Sequence, residues 1–271
     1  MLDTGQMPLI GEALRRFQQG LAAAAANEYE QAIFHYDSVV SSRPDFYEAW
    51  YERGLVLECL GDYGAAIASF DRALESNPED DAVCQIWLER GNALQYGLGD
   101  YMAAIACYDR ALRLNHQHAQ VWSNRGNAFL YGLKSPEEAL ACYDRALERD
   151  AEDAFAWRNR GNTLVELKRY LDAIASYDRA LAIQPDDEVS WHARNLAFEA
   201  SGLNDRQPTT NPIWYGEGYS APTFIQGETK LTAEDDDQVA FSPAPGSMRA
   251  GEAVAQGQPF LVIEDDWGRR E

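Results

Sequence analysis

Basic residues are scarce in this 271-residue chain: 23 Lys and Arg stand against 44 Asp and Glu, a formal net charge of −21. Nucleic-acid binding needs a basic stripe, and adsorption to anionic lipid needs clustered cations. Neither is expected; the acidic excess reads first as solubility. Cysteine and histidine are equally sparse, at four each. Cys59, Cys84, Cys107 and Cys142 show neither CxxC nor Cys/His ligand spacing, and His116-x-His118 has no third ligand within sequence reach, so no metal site is expected. Cys107 and Cys142 recur at one interval and read as small packing residues of a reducing compartment. Also missing are a glycine-rich phosphate loop after a strand, a G-x-S-x-G turn and any catalytic set. Neither a cofactor nor a catalytic residue is expected. The most apolar run near the N-terminus, residues 21–26, is six residues long with no basic lead, too short for a secretory signal or a direct membrane insertion. The expectation is a soluble, cytoplasmic protein that is not an enzyme.

What the chain has in abundance is itself. Trp50, Trp87, Trp122, Trp157 and Trp191 succeed one another at 34 to 37 residues. Four residues after each comes Gly54, Gly91, Gly126, Gly161 or, last, Asn195. Asp-Arg-Ala-Leu recurs from Asp71, Asp109, Asp144 and Asp178. A fixed period of this length is the signature of a stacked repeat. Within residues 154–187, Trp157, Gly161, Leu164 and Leu167 recur at three and four residues, as do Ala173, Ile174, Tyr177, Ala180 and Leu181. Each run predicts a helix with one buried face. Lys168-Arg169-Tyr170 separates them and Pro185 ends the second. One such hairpin exposes an apolar face on either side, so it is stable only in a stack with a more polar helix at the end.

The predicted organisation is a lead-in over 1–12 and repeats at 13–46, 47–80, 84–118, 119–153 and 154–187. A closing helix comes next at 188–202, then an acidic tail over 203–271. Repeats three and four carry one extra residue between their helices, around Tyr96-Gly97-Leu98 and Tyr131-Gly132-Leu133. The tail holds six of the eleven prolines and no helical period, so most of it reads as linker-like or disordered.

Trp, Gly, Tyr or Leu, Ala, Tyr or Phe, Ala and Pro at offsets 4, 8, 11, 20, 24, 27 and 32 resemble the tetratricopeptide repeat, in a bacterial style. The resemblance implies an all-α, right-handed solenoid whose concave face, lined by first helices, binds a peptide or another protein, without catalysis. The sequence departs from the family at the seventh position, where Arg53, Arg90, Arg125, Arg160 and Arg194 replace the usual Leu. An arginine stem covers apolar surface while its head reaches a carboxylate, so pairing with the recurring aspartates is expected.

In the family, first-helix positions 2, 5, 6, 9, 12 and 13 face the groove. Carried over, they give Tyr51, Glu52 and Leu55 in the second repeat and Leu88, Glu89 and Asn92 in the third. Asn124 and Asn127 come from the fourth, and Phe155, Arg158, Asn159 and Asn162 from the fifth, with His192 on the closing helix. The asparagines form two columns at 35-residue intervals. An amide both donates and accepts, so the ladder is expected to hold the main chain of an extended ligand. Arg158 and His192 would favour a carboxylate at one end; Glu52 and Glu89 would favour a basic or amide-rich stretch at the other. The two-carboxylate clamp of chaperone-binding relatives is not matched, because Phe17 or Ser123 stands where it needs Lys. The expected function is a protein-interaction module holding an extended partner segment in the groove. The alternative is an assembly subunit acting through its convex face or tail, whose apolar-then-acidic segment 259–267 is a candidate for docking on its own groove.

Overall fold

A computed structural model describes residues 11–202. Every regular element among them is a helix: α1 (Gly11–Ala25), α2 (Tyr29–Ser42), α3 (Tyr47–Cys59), α4 (Tyr63–Glu75), α5 (Asp80–Asn92), α6 (Tyr101–Leu114), α7 (Ala119–Asn127), α8 (Pro136–Leu147), α9 (Ala154–Glu166), α10 (Tyr170–Ile183) and α11 (Glu188–Ala200). Consecutive helices pack as five antiparallel hairpins closed by α11. α1 already begins inside the segment read as a lead-in. The tail, with its docking segment 259–267, lies outside the described residues.

Glycine and an aromatic ring set the spacing inside each hairpin. Tyr36, Phe70, Tyr108, Tyr143 and Tyr177 are at most 1% exposed. Each ring lies against the backbone of Gly20, Gly54, Gly91, Gly126 or Gly161 on the partner helix. A Cβ at those glycines would fall 2.5–2.9 Å from a ring carbon, closer than carbon atoms approach. The hairpin turn needs one left-handed residue, supplied by Asn27, Gly61, Gly99, Lys134 and Lys168 in successive repeats. Asp62, Asp100 and Asp153 then cap α4, α6 and α9 by accepting from Ala65, Ala103 and Ala156 N–H.

The extra residue of repeats three and four is not a longer loop. It is absorbed as a π-helical turn at the end of the first helix, over Ala93–Gly97 and Ala128–Gly132. Leu98 N–H reaches the Ala93 carbonyl at 3.3 Å, and Leu133 N–H reaches Ala128 at 3.1 Å. Such a turn keeps the backbone bonded while rotating the residues beyond it. It lays Gly97 against the ring of Tyr63 and Gly132 against that of Tyr101, where a Cβ would sit only 2.1 Å from ring carbon.

The arginine column joins repeats. Arg53, Arg90, Arg125 and Arg160 Nε donate to Asp37, Asp71, Asp109 and Asp144 of the preceding second helix at 2.7–2.9 Å, and Arg194 pairs likewise with Asp178. In the first four, the other edge of the guanidinium turns to its own hairpin. It meets Ser69 and Ser176 Oγ at 2.7 Å, and Cys107 and Cys142 Sγ at 3.1 and 3.0 Å. Those two cysteines are therefore more than small packing residues. Trp87, Trp122, Trp157 and Trp191 lie within 6.0 Å of the same guanidinium groups.

Candidate functional site: the face lined by first helices

The asparagine columns are wired to tyrosines and to each other. Asn127 Oδ1 accepts from Tyr143 Oη of its own hairpin at 2.6 Å and from Asn159 Nδ2 of the next repeat at 3.0 Å. Its Nδ2 donates back to Tyr96 Oη at 3.2 Å. One repeat earlier, Asn92 Oδ1 accepts from Tyr108 Oη at 3.0 Å and from Asn124 Nδ2 at 2.8 Å. One repeat later, Asn162 accepts from Tyr177 Oη at 2.8 Å and donates to Tyr131 Oη at 3.2 Å. Tyr96 and Tyr131 occupy the π-turns, so the extra residue aims each hydroxyl at the next repeat's asparagine. Burial pushes Tyr96 up to about 12, so this hydroxyl stays protonated.

This network revises the expected ladder. Asn124 and Asn127 are 4% and 5% exposed, and both lone-pair directions of Asn92 and Asn127 are already taken. The network leaves one N–H each of Asn92 and Asn127, and the Asn124 carbonyl oxygen, without a partner among the described residues. Tyr131 Oη lies 3.4 Å from Asn159 Oδ1, so that oxygen is also engaged.

Two expected contacts are corrected. Leu88 is 0% exposed, in a core cluster with Cys84, Tyr108 and Val121. Ser123 and Arg158, at the same repeat position, are buried too. The fifth position therefore packs towards the neighbouring repeat. Arg158 Nη1 pairs with Asp187 Oδ2 at 3.1 Å and lies 4.9 Å from the Phe155 ring centroid. Its charge is compensated, which removes the expected carboxylate anchor and leaves exposed His192 alone at that end.

The opposite end is built differently. Glu52 is 4% exposed and pairs with no cation among the described residues. Glu89 accepts from Gln85 Nε2 at 2.6 Å and from Asn92 Nδ2 at 2.9 Å. Glu58 stands at the twelfth position of the second repeat, one of the offsets that the family turns to its groove. Glu52, Glu58 and Glu89 all act on the hydroxyl of Tyr51. Burial pushes Glu52 up to about 8 and raises Glu58 and Glu89; the Glu89 charge raises Glu58 further. Leu55 is half-buried beside Tyr51.

Stacked helical hairpins with a lined inner face define a repeat array of the protein-interaction class. The tetratricopeptide repeat profile matches residues 11–81 and 130–188, and a second TPR repeat profile matches 91–131. The chain belongs to the tetratricopeptide repeat family. Among solved structures it is similar to YrrB, described as a TPR protein with an unusual peptide-binding site, at 24% identity and a TM-score of 0.56, over 68% of this chain and 92% of that one. A segment of MamA from Desulfovibrio magneticus RS-1 aligns at 18% identity and a TM-score of 0.59, over 66% and 99% of the two chains. The C-terminal part of a TPR repeat-containing protein from Cytophaga hutchinsonii aligns at 17% and 0.61, over 71% and 74%. These likenesses show the fold. No curated protein matched. Among the described residues no helix is long and apolar enough to cross a membrane.

Proposed function

We propose that this protein is a non-enzymatic interaction module whose first-helix face holds an extended segment of a partner protein. The observation that carries this reading is the graded chemistry of one continuous face. It runs from Tyr51, Glu52, Leu55 and Glu89, through the asparagine columns of Asn92, Asn124, Asn127, Asn159 and Asn162, to Phe155 and His192. Amide groups that recur at repeat intervals and keep unused donors or acceptors suit an extended main chain, whose own donors and acceptors recur regularly. The internal network supports the same reading, because it fixes those amides before a ligand arrives and so lowers the entropy cost of binding. The family's general role and the peptide-binding description of YrrB agree with it.

Selection of a random-peptide display library on the full chain tests the reading. Enriched peptides should protect the amides of α3, α5, α7 and α9 from hydrogen exchange. Protection confined to the second helices would favour the convex-face alternative, and no enrichment at all would sink the groove reading.

A further inference from the structure

The repeats share one wiring rule, and the first two break it. In repeats three to five a buried tyrosine hydroxyl from the second helix ends on the asparagine at the ninth position of the first helix: Tyr108 on Asn92, Tyr143 on Asn127, Tyr177 on Asn162. A sixth-position asparagine from the next repeat joins it, as Asn124 and Asn159 do. In the first repeat the ninth position is Leu21, and in the second it is Leu55. Leucine offers no acceptor.

Two polar groups are stranded as a result. Tyr36 is 0% exposed and its hydroxyl has no hydrogen-bond partner. Glu52, the sixth-position residue of the next repeat, is 4% exposed and pairs with nothing among the described residues. The repeat register that brings Tyr108 and Asn124 together at Asn92 brings Tyr36 and Glu52 to the equivalent place, and the Glu52 charge raises the Tyr36 hydroxyl. Glu58 and Glu89 add two carboxylates to the same end through Tyr51, and no arginine or lysine ion pair reaches any of the three among the described residues. A buried carboxylate with no cation is costly, and the cost is recovered when a cation arrives.

We infer that this end of the face is a receptor for a lysine side chain of the bound segment, its ammonium donating to the Glu52 carboxylate, with Glu58 and Glu89 supplying further negative charge. Three N–H donors on one compact head match separate acceptors, whereas a planar guanidinium favours a bidentate carboxylate. The lysine stem lies against Leu55 and Tyr51. This inference rests on the groove reading above and specifies its partner chemistry: an extended segment with lysine towards the α1–α4 end.

The test uses the full chain and the peptides enriched in the display selection. Enriched sequences should share a lysine at one position. Acetylating that lysine should weaken binding by about tenfold or more, since one partner of a buried charge pair is removed. Glu52→Gln should weaken the unmodified peptide similarly and leave the acetylated peptide unchanged, so the two losses are not additive. Glu137→Gln, an exposed acid on the second helix α8, should change neither. Enriched peptides without a shared lysine, or additive losses, would overturn the lysine receptor while leaving groove binding intact. Failure to enrich any peptide would remove both. Tighter binding by Arg269→Gln/Arg270→Gln would assign the acids to basic residues of the same chain and overturn the partner assignment.

Discussion

Replacing Asn127 by alanine tests whether the asparagines hold the stack together before any ligand is considered. The side chain makes three hydrogen bonds, to Tyr143, Asn159 and Tyr96, and is 5% exposed. Its loss strands the Tyr143 hydroxyl, whose residue is 0% exposed, at a cost of about 1–3 kcal/mol. Asn159 and Tyr96 are only half-buried and regain water, which adds roughly 1 kcal/mol between them. Asn127→Ala should therefore destabilise the array by about 2–4 kcal/mol. Tyr143→Phe should cost about 1 kcal/mol, and the double variant less than the sum, because no hydroxyl is then left stranded. Urea unfolding monitored by circular dichroism measures the totals. Hydrogen exchange should place the loss on α7 and α8 and their neighbours, since a repeat touches only the repeats beside it. A cost below about 0.5 kcal/mol for Asn127→Ala, or strictly additive effects, would show that this amide faces solvent and that the network is not structural. The same result bears on ligand assays. A ladder of free amides would let Asn127→Ala with Asn162→Ala weaken binding alone; the network predicts that the pair also loosens the groove, so stability must be measured beside affinity.

Gly161→Ala should cost about 1–3 kcal/mol by overpacking, because its Cβ would lie 2.5 Å from Tyr177 Cε1; Gly64→Ala, whose Cβ meets only an aspartate oxygen at 3.8 Å, should not destabilise in the same thermal melts. Lys168→Gly should stabilise by about 0.5–1 kcal/mol by relieving a left-handed turn at φ 58°, and a loss of stability would contradict that reading of the turn. Stability should fall as pH rises from 5 to 8. Glu52, displaced upward from 4.5 to about 8 by burial, binds a proton in the folded chain that the unfolded chain releases, so its contribution is present below its unfolded value and lost as pH rises through its folded one. The loss is on the order of 3 kcal/mol; Glu52→Gln should flatten that part of the profile, and an unchanged slope would refute the burial argument.

Much of this was legible because a repeat speaks several times. Gly161 and Tyr177 are ordinary residues alone, but a glycine and an aromatic ring 16 or 17 residues apart in five hairpins announce a close helix contact. The arginine and aspartate columns likewise announced their pairing, though only the structure shows that each bond crosses to the preceding repeat and that Cys107 and Cys142 accept the remaining edge. The asparagine network was not legible. An amide that bonds a ligand and one that bonds a tyrosine are the same letter, and Tyr96 reaches Asn127 only because one extra residue becomes a π-turn instead of lengthening a loop. Leu88 was misplaced for a related reason: the family's fifth position opens on the groove, whereas here it carries Leu88, Ser123 and Arg158 into the contact between repeats.

The most direct test of groove binding is crosslinking from a defined position. A photoreactive benzoylphenylalanine at Leu55, on the first-helix face, is compared with one at Leu171, which is 63% exposed on α10. Each full-length variant is irradiated with a display-selected peptide. The account predicts a crosslink from position 55 that unlabelled peptide competes away, and none from position 171. Crosslinking from position 171 with position 55 silent would contradict it.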